Sequence, residues 1–89
     1  MLFVCTSKYQ KEITPEVLTE HRDWLNGLIA EGVVYSAGRL AAGGGGLLVM
    51  RAADQAEAEA ILAADPFSRD GISVYTPVGY NPTLGSLQG

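Results

Sequence analysis

Apolar and polar positions group along the chain in two rhythms, and each switch between them marks a change of element. Residues 2–7, Leu2-Phe3-Val4-Cys5-Thr6-Ser7, form a β-rich run that predicts a strand. Residues 8–13 are polar and read as a connector. Thr14-Pro15-Glu16 is a helix start, with Thr14 as N-cap, Pro15 at the first helical position and Glu16 favourable to the helix dipole. The helix is expected to run to about Glu31 and to end at Gly32 as its C′ glycine. Val17, Leu18, Trp24, Leu25, Leu28 and Ile29 lie at i, i+1, i+7, i+8, i+11 and i+12, one stripe at the helical period. The i+4 place in that stripe is taken by His21. Thr19, Asp23 and Asn26 are expected on the opposite face, with Glu20 and Arg22 on its flanks.

Two further strands, over 33–40 and 47–52, predict a hairpin around the glycine-rich run 41–46, which reads as a flexible turn. A phosphate-binding loop would need a lysine after the glycines, or spaced glycines opening a helix. These glycines lie between strands with no lysine following. Asp54-Gln55-Ala56-Glu57 is an acidic capping box that starts a second helix, expected to reach about Ala64. Its expected inner face is mostly small: Ala56, Ala60, Ile61 and Ala64. Asp65 precedes Pro66, and a residue before proline is pushed out of the helical region, so the helix should give way there. A fourth strand is expected over 72–78, with Pro77 at a sheet edge or strand end because it cannot donate to a ladder. Residues 79–89 read as an irregular tail, apolar enough at Tyr80 and Leu84 to dock.

The order β-α-β-β-α-β predicts an α+β, ferredoxin-like fold: one domain over 1–89, with a core over 1–78, a four-stranded antiparallel sheet and both helices on one face. In the third strand Leu47 and Val49 point one way and Leu48 and Met50 the other, so both faces are apolar. Two helices cover one face; the expected cover of the other is a second copy, a homodimer packed sheet to sheet.

Composition narrows the function classes. Of 89 residues, 47% are hydrophobic and 18% charged, which excludes a disordered chain. The net charge is −4 and the six cations are scattered, so nucleic-acid binding, which needs neutralised phosphates, is not expected. The single cysteine, Cys5, suits a reducing cytoplasm and reads as a small core residue. No apolar run approaches the roughly 20 residues of a membrane span, and no signal peptide is evident. One His and one Cys far apart do not make a zinc site, and no cofactor is expected.

Two polar residues stand where apolar or neutral ones belong. His21 interrupts the apolar stripe, either as a buried histidine bonded to backbone or as a general base or acid. Asp65, read as the end of the second helix, sits where the dipole disfavours negative charge, and a cation nearby would relieve this. Helices side by side on one sheet face would let the two meet, and a carboxylate orients an imidazole and fixes its tautomer. Ser36 and Arg39 on the second strand, around Gly38, are candidates for steadying a substrate oxyanion. The glycine inside a strand suggests a bulge or a close approach. Trp24 and Phe67 are candidate apolar walls. Tyr35 and Tyr75 read as packing residues.

Residues 21–40, His-Arg-Asp-Trp through Gly-Arg-Leu, followed by 53–67, ending Ala-Ala-Asp-Pro-Phe, resemble the YCII-related (YciI-like) domain family. The resemblance spans nearly the whole chain to Val78. It rests on the first-helix His, the Gly ending that helix, the Ser-x-Gly segment of the next strand and the Asp-Pro-Phe closing the second helix. It implies a small dimeric ferredoxin-like protein related to the dimeric α/β-barrel group, and a His–Asp active-site pair carried onto His21 and Asp65. One branch of the family removes chloride from a chlorinated hydroxyhydroquinone. Arg39 stands where the family often has proline after the strand-two glycine, which implies a different substrate or a different strand end. Taken together, the expectation is a cofactor-free enzyme of lyase or isomerase type, using His21 and Asp65 on a small cyclic or phenolic molecule. The alternative is a non-catalytic module with a structural His–Asp bridge.

Overall fold

In the computed structural model, which describes residues 1–87, the elements run β1 (Leu2–Tyr9), α1 (Pro15–Ala30), β2 (Val34–Arg39), β3 (Gly46–Arg51), α2 (Gln55–Ala63), α3 (Pro66–Arg69) and β4 (Ser73–Tyr80). The strands form one antiparallel sheet in the order β2-β3-β1-β4, the ferredoxin-like arrangement. The short helix α3 was not anticipated, and β4 reaches Tyr80, past the expected end of the core.

Local chemistry accounts for the helix ends. The Thr14 hydroxyl accepts from the Val17 amide, and Pro15 opens α1. Its C-terminus closes with Gly32 at φ +75°, the Gly32 amide donating to Ile29 and the Val33 amide to Leu28, which satisfies two terminal carbonyls. Asp54 accepts from the Glu57 amide, and the Glu57 carboxylate reaches back to the Ala53 amide, one residue earlier than the usual box.

The core lies between sheet and helices. Phe3, Cys5, Leu48 and Met50 alternate inward from β1 and β3, and meet Ala58 and Leu62 of α2. Ala58 and Leu62 are the buried positions of α2, so the expected inner face of Ala56, Ala60, Ile61 and Ala64 is rotated; of these only Ile61 is even half-buried. A second cluster joins Val17, Phe67 and Ile72. It is built around α3, which is why the pattern of α2 alone did not reveal it.

The glycine run is tied down where a flexible turn was expected. The Tyr9 amide donates to Gly44, the Leu40 amide to Gly45 and the Gly46 amide to the Ser7 hydroxyl. Gly45 is buried so close to β1 that a Cβ there would lie 1.9 Å from the Ser7 carbonyl oxygen. Pro77 lies on the edge strand β4, as its missing N–H requires. Of the two residues expected to dock the tail, Leu84 is 89% exposed, and Tyr80, 43% exposed, pairs with Leu2 as the end of β4.

The outer face of the sheet is apolar and covered unevenly: Leu2 is fully buried there, while other residues are left partly or largely exposed. It carries Val4, Leu47, Val49, Val74 and Val78, with Val74 59% and Val78 60% exposed. No helix among the described residues is long and apolar enough to cross a membrane.

Candidate active site

Asp65 is the hub of the site, and α3 explains why. Its backbone is extended (φ −62°, ψ 128°), as a residue before proline must be, so α2 ends at Ala64. The same proline occupies the first position of α3, and Asp65 becomes the N-cap of that helix. The carboxylate therefore does not sit idle against the C-terminal dipole of α2, as expected; it faces the amides of the next helix.

The Asp65 side chain is fully buried, and three donors converge on it. The Phe67 amide donates to Oδ1 at 2.9 Å, Nδ1 of His21 to Oδ1 at 2.7 Å, and the Tyr75 hydroxyl to Oδ2 at 2.5 Å. A buried carboxylate needs such partners, because an unpaired one would carry a large desolvation cost. Burial first, and then the Asp65 carboxylate, holds the Tyr75 hydroxyl well above the ordinary phenol range, so it remains a donor. Burial likewise pushes the Cys5 thiol up to about 11, which leaves it unreactive at neutral pH.

His21 is fixed from two sides. Its ring stacks on Phe67, with centroids 3.8 Å apart and planes 5° from parallel. With Nδ1 bound to Asp65, its other nitrogen, Nε2, has no hydrogen-bond partner among the described residues, and the ring lines a cleft of about 490 Å³. The side chain is 15% exposed, enough to meet a ligand there.

The cleft forms because α1 carries more apolar surface than the sheet covers. Val17, Trp24 and Leu28 turn toward the protein interior. Leu18 and Leu25 also pack against the core clusters and, with Ile29, line one wall of the cleft, with Arg22 and Asn26 beside them. Asn26 was expected on the solvent face of α1. The opposite wall comes from Ala37, Gly38 and Arg39 of β2, and Phe67 and Tyr75 lie beside His21.

A register shift between Val34 and Ser36 decides which β2 residues reach the cleft. Val34 pairs with Met50 and faces the helices. A regular strand would then put Ser36 inward and Arg39 outward. The extra residue, Tyr35, reverses this: Ser36 pairs with Val49 on the outer face, and Arg39 pairs with Gly46 on the inner. Gly38, expected to mark a bulge or a close approach, has nothing within 4 Å of a Cβ position and the bulge is at Tyr35; Ser36 does not line the cleft. Nor does Trp24, which packs against the core 6.1 Å from the His21 ring. Tyr75, expected only to pack, is part of the hydrogen-bonded cluster; nothing in the alternation of β4 distinguishes it. Among the described residues, no group of three or more His, Cys, Asp or Glu could hold a metal ion.

Comparison with known proteins agrees with this architecture. The YCII-related domain matches residues 1–78. The chain belongs to the YCII-related domain family. Among solved structures, this YCII-related protein is similar to the 5-chloro-2-hydroxyhydroquinone dehydrochlorinase TftG of Burkholderia phenoliruptrix AC1100, in complex with 2,5-dihydroxybenzoquinone. The TM-score is 0.67 at 19% identity, over 90% of this chain and 93% of that one. It is also similar to an antibiotic biosynthesis monooxygenase, with a TM-score of 0.53 at 17% identity, over 92% of this chain and all of that one. At such identities the likeness establishes the fold. No curated protein matches the sequence.

Proposed function

We propose that this YCII-related protein is a cofactor-free, homodimeric enzyme of the cytoplasm, in which His21 transfers a proton on a small cyclic or phenolic substrate. The observation that carries the reading is the orientation of His21. Asp65 accepts a hydrogen bond from Nδ1–H, which keeps the proton on Nδ1 and leaves the Nε2 lone pair free for a ligand in the cleft that the ring lines. Nε2 takes a proton from a ring carbon or hydroxyl. The electron pair released forms a double bond and expels a leaving group such as chloride or water, or is reprotonated elsewhere in the ring. The imidazolium, stabilised by the Asp65 carboxylate, then returns its proton to product or solvent. Phe67 holds the imidazole plane, the Gly38 backbone lines the cleft beside Arg39, and the Arg39 guanidinium steadies negative charge on a substrate oxygen. The dehydrochlorinase that shares the fold, which binds 2,5-dihydroxybenzoquinone, adds weight to a ring-shaped substrate.

A second reading has its own observation. Asp65 ties α1, α3 and β4 together from a fully buried position, which a structural bridge would also do. The two separate in one experiment. His21→Ala is assayed for solvent-deuterium incorporation and halide release over a panel of small cyclic and phenolic compounds, alongside a thermal melt. Lost turnover with a near-native melt supports catalysis. Full activity of His21→Ala on the substrate the wild type turns over refutes the base assignment. Strong destabilisation by both His21→Ala and Asp65→Ala, with no turnover by the wild type, supports the bridge.

A further inference from the structure

We infer that the cleft is built for an anion: it takes a small cyclic carboxylic acid, whose carboxylate is held by Arg22 and Arg39 while its ring lies on the apolar wall beside His21. The inference rests on the site reading above and supplies its substrate class.

The charge distribution carries the argument. The chain as a whole is acidic, with a net charge of −4, yet the residues lining the cleft include two arginines and no Asp or Glu. Arg22 comes from α1 and Arg39 from β2, so the two guanidinium groups belong to different walls. Neither forms an ion pair among the described residues, whereas Arg69, outside the cleft, is bonded to both Glu20 and Asp70. Asp65, which bonds the His21 of the cleft lining, is fully buried and its two oxygens already accept three hydrogen bonds. Two guanidinium groups kept from internal carboxylates suit an external one, which an arginine fork binds in bidentate fashion. In a protein of net negative charge, a local cationic pair is also what lets an anion approach.

The rest of the lining sets the shape of the ligand. Leu18, Leu25 and Ile29 form an apolar surface next to the arginines, and about 490 Å³ suits a ligand of one or two rings. A simple phenol, with a pKa near that of tyrosine at about 10, is neutral at pH 7 and would not use the two cations. A carboxylate is ionised throughout the physiological range.

The test uses the full chain and two matched probes, benzoate and benzamide, followed by amide chemical shifts. Benzoate is expected to bind at least about tenfold more tightly than benzamide, and to weaken with added salt. Arg22→Gln and Arg39→Gln should each weaken benzoate by about tenfold, leaving benzamide affinity and the thermal melt unchanged. His21→Ala should still bind benzoate. Equal affinities for the two probes, no saturable benzoate binding, or unchanged benzoate affinity in the double arginine variant would each overturn the inference. If benzoate fails while a neutral phenol shows His21-dependent turnover, the anion site is wrong and the proton-transfer reading stands. If benzoate binds as expected and no compound shows His21-dependent turnover, the anion site stands and the catalytic reading falls.

Discussion

The Tyr75 hydroxyl donates to Oδ2 of Asp65 at 2.5 Å, from the edge strand of the sheet into the cap of α3. That bond leaves Oδ1 to the Phe67 amide and to His21. Three elements, the nearby α3 and β4 and the distant α1, therefore share one buried carboxylate, and the position of His21 depends on all of them.

Asp65→Asn tests that dependence without opening a cavity. The amide can still accept from Phe67, but its NH₂ group meets a donor where an oxygen stood. We expect a loss of about 1–3 kcal/mol in stability from the Tyr75 side, while the amide oxygen in the Oδ1 position still accepts from Nδ1–H and keeps the His21 tautomer, read from imidazole ¹⁵N shifts. A native-like melt would show that the Tyr75 bond does not hold the cluster together.

Alkaline pH should weaken the fold in a defined window. The folded Cys5 thiol titrates at about 11 against an ordinary value of 9.0, and the Tyr75 hydroxyl is raised above its ordinary 10.0. Both groups keep their protons in the folded state where the unfolded chain has already released them. Stability is therefore full below about pH 9 and falls as pH rises, first through the Cys5 window and then, above pH 10, through that of Tyr75. Each group contributes at most about 1.4 kcal/mol per pH unit. Urea midpoints measured from pH 8 to 11 should decline, and Tyr75→Phe should flatten the upper part of the curve. A wild-type midpoint constant over that range contradicts the prediction.

The apolar outer face of the sheet makes a prediction about assembly. Val74 and Val78 are more than half exposed on a face that also carries Val4, Leu47 and Val49. Sedimentation of the wild type should give a dimer, and Val78→Asp should shift it to monomer, since a buried unpaired charge at such a contact is costly. A wild-type monomer at high protein concentration would rule out the sheet-to-sheet pairing.

Gly45→Ala should destabilise by more than about 2 kcal/mol, because the new methyl would overlap the Ser7 carbonyl and must push β1 away. Gly43→Ala is the control: its φ of +81° is strained for alanine, at about 1–2 kcal/mol, but nothing lies within 4 Å. Chemical denaturation of the two variants should separate them, and equal losses would show that the close approach at Gly45 is not what the glycine serves.

Much of the fold was written in local patterns. The caps at Thr14 and Asp54, the Gly32 stop and the strand alternation are interactions within a few residues, so the sequence determined the elements and their order. His21 was legible for the same reason: a polar residue breaks an apolar stripe, and only a site or a buried partner accounts for it. Asp65 was legible as an anomaly, but its setting was not, because a four-residue helix beginning at Pro66 leaves no periodic signal.

What tertiary structure alone decided was which side chains share the cleft. The extra residue at Tyr35 turns Ser36 out and Arg39 in, and a one-residue shift in strand pairing depends on the partner strand, not on the strand itself. Tyr75 entered the cluster through its pairing opposite Ser7, and Arg22 and Asn26 entered the cleft because the sheet stops short of covering α1. Sequence sets what each segment can bury; the edges of the sheet set what is left unburied, and on this chain that remainder forms the cleft beside His21.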